Sequence, residues 1–257
     1  MNELRNTITL ITGASSGIGY SCAIRFAAAG SRLILTARRK DRLESLAADL
    51  KTKGTEVLTF DLDVRNREAV VATLGDLPKN WQAVDVLVNN AGLSRGLDKL
   101  HEGKFEDWEE MIDTNIKGLL YVSRTVIPGM VQRGKGTVVN IGSIAGHDVY
   151  PGGNVYSATK HAVDALTRSL RMDLIDTPIR VCTVDPGLVE TEFGTVRFHG
   201  DTERAGVVYR NMQPLTPDDV AEAVLFCATR PPHVQLAEII ILPTAQASPT
   251  MVHRKVN

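Results

Sequence analysis

Ile8-Thr9-Leu10-Ile11-Thr12-Gly13-Ala14-Ser15-Ser16-Gly17-Ile18-Gly19 is the stretch on which the fold turns. An apolar run of strand length passes into three glycines, and a helix-length segment follows. Small residues at such a turn let the backbone approach a pyrophosphate. The helix N-terminus then supplies free N–H groups and the positive end of the helix dipole. The spacing is Gly-x-x-x-Gly-x-Gly, not the more familiar Gly-x-Gly-x-x-Gly of dinucleotide sites. The bland alternative is a tight turn that needs glycine for packing alone. Its position after the first strand and the pattern of the rest of the chain argue against that.

Outward from this turn, strand-like and helix-like segments alternate almost to the end. Apolar runs of strand length lie at Thr7–Ile11, Arg32–Thr36, Val57–Phe60, Val84–Val88, Thr137–Ile141, Arg180–Val184 and Glu238–Leu242. Several are continuously apolar, as suits parallel strands covered on both faces. Helix-length segments separate them, at Ile18–Ala29, Asp41–Lys53, Arg67–Leu77, Phe105–Arg133, Val155–Ile175 and Pro217–Thr229. The alternation predicts an α/β, doubly wound, Rossmann-type fold: a seven-stranded parallel sheet with helices on both faces. There is no repeat and no Pro-, Gly- or Ser-rich linker, so one domain over residues 1–257 is expected. Its least regular part, at about 188–217, reads as a substrate-side loop or helical segment.

Composition narrows the function. The chain has 257 residues, a formal net charge of −1 and 43% hydrophobic residues, ordinary for a globular protein. Near-neutral charge gives no electrostatic reason to propose nucleic acid or an anionic membrane as a partner. Cys22, Cys182 and Cys227 are far apart and lie in apolar stretches, so buried reduced thiols are expected and no metal site is called for. The start, Met1-Asn2-Glu3-Leu4-Arg5, leads into an apolar run too short for a signal peptide or a membrane span. A cytoplasmic protein is the expectation.

The second predicted strand ends in Ala37-Arg38-Arg39-Lys40, where an NAD enzyme would place Asp or Glu against the ribose 2′-hydroxyl. Guanidinium groups suit a phosphate instead, so NADP(H) is favoured over NAD. Lys40 also reads as a solvated helix start. Further on, Tyr156 and Lys160 stand at i and i+4, on one face of the Val155–Ile175 helix. An ammonium near a phenol favours the phenolate, so the pair is a candidate proton-transfer device.

Thr12-Gly13-x-x-x-Gly17-x-Gly19, Asn89-Asn90-Ala91-Gly92, Asn115, Ser143, Tyr156-x-x-x-Lys160 and Pro186-Gly187 occur in that order. Together they resemble the short-chain dehydrogenase/reductase superfamily over nearly the whole chain. Ile112-Asp113-Thr114-Asn115, Pro151-Gly152-Gly153-Asn154-Val155-Tyr156, Val196-Arg197-Phe198-His199-Gly200-Asp201 and Val252-His253-Arg254 look more narrowly like the NADP-dependent 3-hydroxy acid dehydrogenases. That group acts on serine and L-allo-threonine and reduces malonic semialdehyde.

The resemblance implies roles. Tyr156 would be the general acid/base, Lys160 would lower its pKa and bind the nicotinamide ribose, and Ser143 would polarise the substrate oxygen. Asn115 would anchor a water behind Lys160. Gly13, Ser15, Ser16, Gly17 and Ile18 would line the pyrophosphate, with Arg38 and Arg39 at the 2′-phosphate. Asp63 and Val64 would lie at the adenine and Asn90 at its ribose. Pro186, Gly187, Val189 and Thr191 would close over the nicotinamide end. A homotetramer is implied, built on the two long helices and the last strand.

Taken singly, Ser143 also reads as a cap, Asn115 as a helix interruption and Asn89–Gly92 as a turn; taken jointly they do not. The chain departs from the pattern in two places. Ser16 stands where many NADP-preferring relatives carry a basic residue, and the loop from Pro186-Gly187 to Thr191-Glu192-Phe193 is one residue short.

A 3-hydroxy acid needs a cation for its carboxylate. Arg95 and Arg197 are the candidates, with His199 a weaker one, and each also reads as a solvated surface charge. His147 and Tyr150, between Ser143 and Tyr156, would shape the pocket wall, a role that no spacing indicates. The alternatives are a broad NADPH-dependent carbonyl or alcohol reductase on uncharged substrates and a non-catalytic dinucleotide-sensing protein.

Overall fold

The computed structural model describes residues 4–255; residues 1–3 and 256–257, the ends of the expected 1–257 domain, lie outside the described residues. The strands are β1 (Ile8–Thr12), β2 (Arg32–Ala37), β3 (Val57–Asp61), β4 (Val86–Asn89), β5 (Thr137–Ile141), β6 (Arg180–Pro186) and β7 (Glu238–Ile241). They form one sheet in the order β3-β2-β1-β4-β5-β6-β7, and every pairing is parallel. All seven expected strands are present, with ends shifted by a residue or two.

The continuous apolar runs are explained by what covers each face. Successive side chains of a strand point to opposite faces. Ile11, Leu35, Val88, Val139 and Cys182 pack into one layer. Their neighbours Leu10, Ile34, Leu87, Val138 and Val181 pack into the other. The first layer is closed by α1 (Gly17–Ala28), α2 (Lys40–Thr52) and α9 (Pro217–Ala228), the second by α3 (Arg67–Gly75), α5 (Leu119–Arg133) and α6 (Asn154–Asp173). Phe26 of α1 is fully buried, worth about 1.5–3 kcal/mol in lost water contact. α9 starts at a capping box, in which Thr216 and Asp219 satisfy each other's backbone N–H groups and Pro217 takes a position that needs no donor.

Two departures from the sequence reading concern the site. The expected helix Phe105–Arg133 is three pieces: α4 (Phe105–Ile112), a π-helical turn (Asp113–Gly118) and α5. The turn is pinned where the buried Asn115 bonds out of the helix to Leu93. The irregular segment at 188–217 contains two short helices, α7 (Phe193–Arg197) and α8 (Thr202–Val207). The long helix carrying Tyr156 and Lys160 is α6 (Asn154–Asp173).

Candidate active site

β1 and β4 are adjacent although three strands apart in sequence, so connections leave the sheet in opposite directions on either side of them. A crevice at the strand C-termini is the expected result. The cleft there measures about 1090 Å³. Of the site residues expected from sequence, Gly13, Ser15, Ser16, Gly17, Ile18, Arg38, Arg39, Asp63, Val64, Asn90, Ser143, Tyr156, Lys160, Pro186, Gly187, Val189, Thr191, Arg95 and Arg197 all line it. Asn115 lies behind it, 2% exposed.

The floor at one end is the glycine turn. Gly13 has φ +67°, and a Cβ on it would sit 2.9 Å from Asn90 Nδ2 and 3.0 Å from Ala91 Cα. A Cβ on Gly19 would come within 2.4 Å of Asn90 Nδ2 and 2.5 Å of Gly13 O. Both glycines are therefore required by close approach, and Gly13 also by its left-handed backbone. Asn90 Nδ2 donates to the carbonyls of Thr12 (2.9 Å) and Gly13 (3.1 Å). The N–H groups of Asn90 and Ala91 donate to Thr12 Oγ1 at 3.1 and 3.0 Å. Asn90 thus fixes the turn itself.

Cations gather beyond the turn. Arg39 donates to the hydroxyls of Ser15 and Ser16 and pairs with Glu192 at 2.8 Å. Arg42, which the sequence reading passed over, pairs with the same carboxylate at 2.6 Å. Glu192 is held below the usual carboxylate range by its hydrogen bonds from Arg42 and Arg39. Arg38 is more loosely placed, 3.5 Å from Glu110. Asp63 is ion-paired with Arg65 at 2.6 Å; burial alone would raise its pKa, but the Arg65 hydrogen bonds hold it low.

At the other end Tyr156 sits on α6, 9% exposed. Burial pushes its phenol above the ordinary value, the Arg197 charge and the Ser143 side chain pull it down, and the buried Asp185 carboxylate pushes it up. Lys160 Nζ lies 5.9 Å from the Tyr156 ring centroid, on the same face as the spacing requires. It donates to the Ile141 carbonyl at 2.9 Å. Burial lowers the Lys160 ammonium from 10.5 to about 8, with Asp185 opposing. Arg197 is thus a second cation beside the phenol, on the substrate side of the ring, and it pulls the Tyr156 pKa down. Asn115 accepts the Leu93 N–H at 2.9 Å and donates to Leu93 O (2.9 Å) and Thr159 Oγ1 (3.0 Å), so its side chain joins the π turn to the β4 loop and α6.

The structure separates the two substrate-side arginines. Arg95 is committed to Glu110 at 2.6 Å and to the Val196 carbonyl. Arg197 donates from Nε to Ser94 Oγ (3.0 Å) and from Nη2 to Tyr150 OH (3.0 Å). Its guanidinium lies 5.2 Å from the centroid of the Tyr156 ring and 5.1 Å from that of Phe193. Among the described residues Arg197 pairs with no carboxylate. His199 contacts Asp107 at 3.2 Å and is half-exposed. Ser94 and Phe193 were not legible as site residues: both follow motif residues, but only the folded chain brings them to Arg197.

The family model described as "short chain dehydrogenase" matches residues 7–201. An NADP-dependent 3-hydroxy acid dehydrogenase of Salmonella typhi is 49% identical over 249 residues, covering 96% of this chain and 99% of that one. A protein of the same name from Schizosaccharomyces pombe is 45% identical over 257 residues, 99% of each chain. A solved structure of the closed form of serine dehydrogenase complexed with NADP+ is 46% identical, with a TM-score of 0.91 over 97% of this chain and 100% of that one. The chain belongs to the short-chain dehydrogenase family, and it is an enzyme of the oxidoreductase class.

Proposed function

We propose that this short-chain dehydrogenase is an NADP-dependent enzyme interconverting a short 3-hydroxy acid and its 3-oxo acid or semialdehyde, with substrates of the serine, L-allo-threonine and 3-hydroxypropionate type. The observation that carries the reading is the Arg197 guanidinium. It is held in place by two neutral hydroxyls, has no carboxylate partner among the described residues, and lies over the ring of the expected proton donor. A cation so placed takes a carboxylate through paired hydrogen bonds and leaves the substrate's hydroxyl beside Tyr156. The relatives' names point the same way.

The cleft fits NADP. Its glycine floor admits no Cβ at Gly13 or Gly19; Arg38 and Arg39 line the end where a 2′-phosphate would lie, and Arg42 stands just beside it, paired with the same Glu192 as Arg39. Gly13 to Ile18 would hold the pyrophosphate, and Arg38, Arg39 and Arg42 the 2′-phosphate. Asp63, Val64 and Asn90 would flank the adenosine, with Pro186, Gly187, Val189 and Thr191 over the nicotinamide end. When bound, NADP(H) supplies or takes up the hydride at the carbinol carbon. Tyr156 gives a proton to the carbonyl oxygen in reduction and takes it back in oxidation. Ser143 Oγ hydrogen-bonds that oxygen. Lys160, with its lowered pKa, passes protons behind the phenol, and Asn115 keeps the π turn against it.

The same reading makes the enzyme a cytoplasmic homotetramer. Its three cysteines are free and buried, as suits a reducing compartment. Ile112, Leu120 and Val131 along α4 and α5, Met172 on α6 and Ile240 on β7 expose apolar side chains, which copies of the chain would cover.

The test is a panel of L-serine, L-allo-threonine and 3-hydroxypropionate against neutral alcohols, run with NADP and with NAD; malonic semialdehyde probes the reverse direction. The reading expects acids to be preferred and NADP required. Equal turnover of neutral alcohols would favour a general carbonyl reductase instead.

A further inference from the structure

β6 and β7 pair with Thr183 opposite Glu238. Asp185 lies two residues on from Thr183, so its side chain shares the face that Glu238 presents, one diagonal step away. The short helical turn Ile144–Gly146 lays His147 across the two acids. His147 Nε2 is 3.2 Å from Asp185 Oδ2 and 3.0 Å from Glu238 Oε1, and the three ligand atoms all lie within 4.8 Å of one another.

Two observations distinguish this cluster from a histidine held between counter-ions. Neither contact has hydrogen-bond alignment: His147 Nε2 and Asp185 Oδ2 are both buried without a hydrogen-bond partner. Asp185 is 2% exposed. Its other oxygen is fully used, accepting the Ser143 N–H at 3.1 Å and the Thr183 hydroxyl at 2.8 Å. A buried carboxylate is costly unless both oxygens are matched. The His147 nitrogen thus stands within contact distance of both carboxylates, with neither contact aligned as a hydrogen bond. Zinc binds imidazole nitrogen and carboxylate oxygen at about 2.0–2.2 Å, so ligands around a tetrahedral ion stand roughly 3.3–3.5 Å apart. The two separations, 3.2 and 3.0 Å, fall a few tenths of an ångström short of that edge, so an ion would spread the ligands slightly.

We propose that His147, Asp185 and Glu238 form a binding site for a divalent transition-metal ion of the zinc class, with water completing the coordination. One imidazole and two carboxylates suit borderline ions better than magnesium or calcium, which prefer all-oxygen sets. The three ligands lie far apart in sequence, so no spacing motif announces them. Because Asp185 also holds the Ser143 backbone, the ion would brace the strand end that carries the catalytic serine.

The experiment uses the full-length, chelator-treated protein, titrated with Zn²⁺ by calorimetry and with Co²⁺ by absorption. One saturable equivalent per chain is expected, with Co²⁺ d–d bands and no thiolate charge-transfer band, which separates this site from Cys22, Cys182 and Cys227. His147→Ala and Glu238→Gln should each weaken Zn²⁺ binding by at least tenfold. Both side chains are partly exposed (21% and 33%), so the variants should fold. Saturating Zn²⁺ should raise the melting temperature of the wild type and not of the variants. The proposal is overturned if the wild type binds no saturable equivalent, if both variants bind as the wild type does, or if Co²⁺ shows thiolate ligation.

Discussion

Truncating Arg197 should remove carboxylate recognition and leave the rest of the cleft standing. The guanidinium is held by Ser94 and Tyr150, so its position does not depend on substrate. A hydrogen-bonded charge contributes about 1.5–3 kcal/mol. At 1.36 kcal/mol per factor of ten, Arg197→Ala should lower kcat/KM for a 3-hydroxy acid by roughly 10- to 150-fold. On the pH-independent plateau above the Tyr156 limb, neutral alcohols should change by less than about threefold, since they make no ion pair. A second effect separates this residue from a surface charge. Arg197 pulls the Tyr156 phenol down, so its removal lets that pKa rise. Oxidation needs the deprotonated phenol, and the rising limb of its pH–rate profile should therefore move to higher pH in Arg197→Ala. Arg197→Lys keeps the charge and should restore most of the limb's position, but not the full affinity for acids. Steady-state kinetics on paired acid and alcohol substrates across pH reads both effects. Equal losses on the two substrate types, or no loss on either, would refute the assignment.

Glu192→Gln frees Arg39 and Arg42 from an exposed carboxylate. Each such pair is worth about 0.2–1 kcal/mol, so releasing both should lower the Kd for NADP by roughly 2- to 30-fold, with NAD unaffected, as fluorescence titration would show. Gly19→Ala forces a methyl group against Asn90 and the Gly13 carbonyl. It should cost about 1–3 kcal/mol of stability and weaken cofactor binding, measured by denaturant unfolding and titration. The buried Lys160 binds its proton less tightly folded (about 8) than unfolded (10.5). The unfolded state holds more protons between those values, so wild-type stability should rise relative to Lys160→Met by about 3 kcal/mol from pH 7 to pH 10.5. A stability gap that stays flat with pH would show that the ammonium is not buried as described.

The seven strands were readable because parallel strands covered on both faces leave continuous apolar runs, and here Leu10 with Ile11, or Val138 with Val139, fill opposite layers. The glycine turn was readable because a backbone that must approach its neighbour excludes side chains, a constraint written directly in residue type. The break at Asn115 was not: a π turn keeps the helical apolar period nearly intact, and its cause is a bond to Leu93 from a distant loop. Arg95 and Arg197 looked alike in sequence, since ion pairing is decided by tertiary neighbours; only the fold gives Glu110 to one and two hydroxyls to the other. Arg197 beside the phenol was not legible for a similar reason. The i, i+4 rule places Lys160 near Tyr156, and only the fold shows that its ammonium also donates to the Ile141 carbonyl at the end of β5.

The central claim is that Tyr156 moves the proton in a hydride-transfer site. Tyr156→Phe keeps the ring and its edge contact with Phe193 at 5.6 Å, and removes only the hydroxyl. Proton transfer by a positioned side chain contributes about 10²–10⁴-fold, so kcat on the best 3-hydroxy acid should fall by that factor while NADP binding stays within roughly twofold of wild type. Near-normal turnover in Tyr156→Phe, with cofactor bound, would contradict the account.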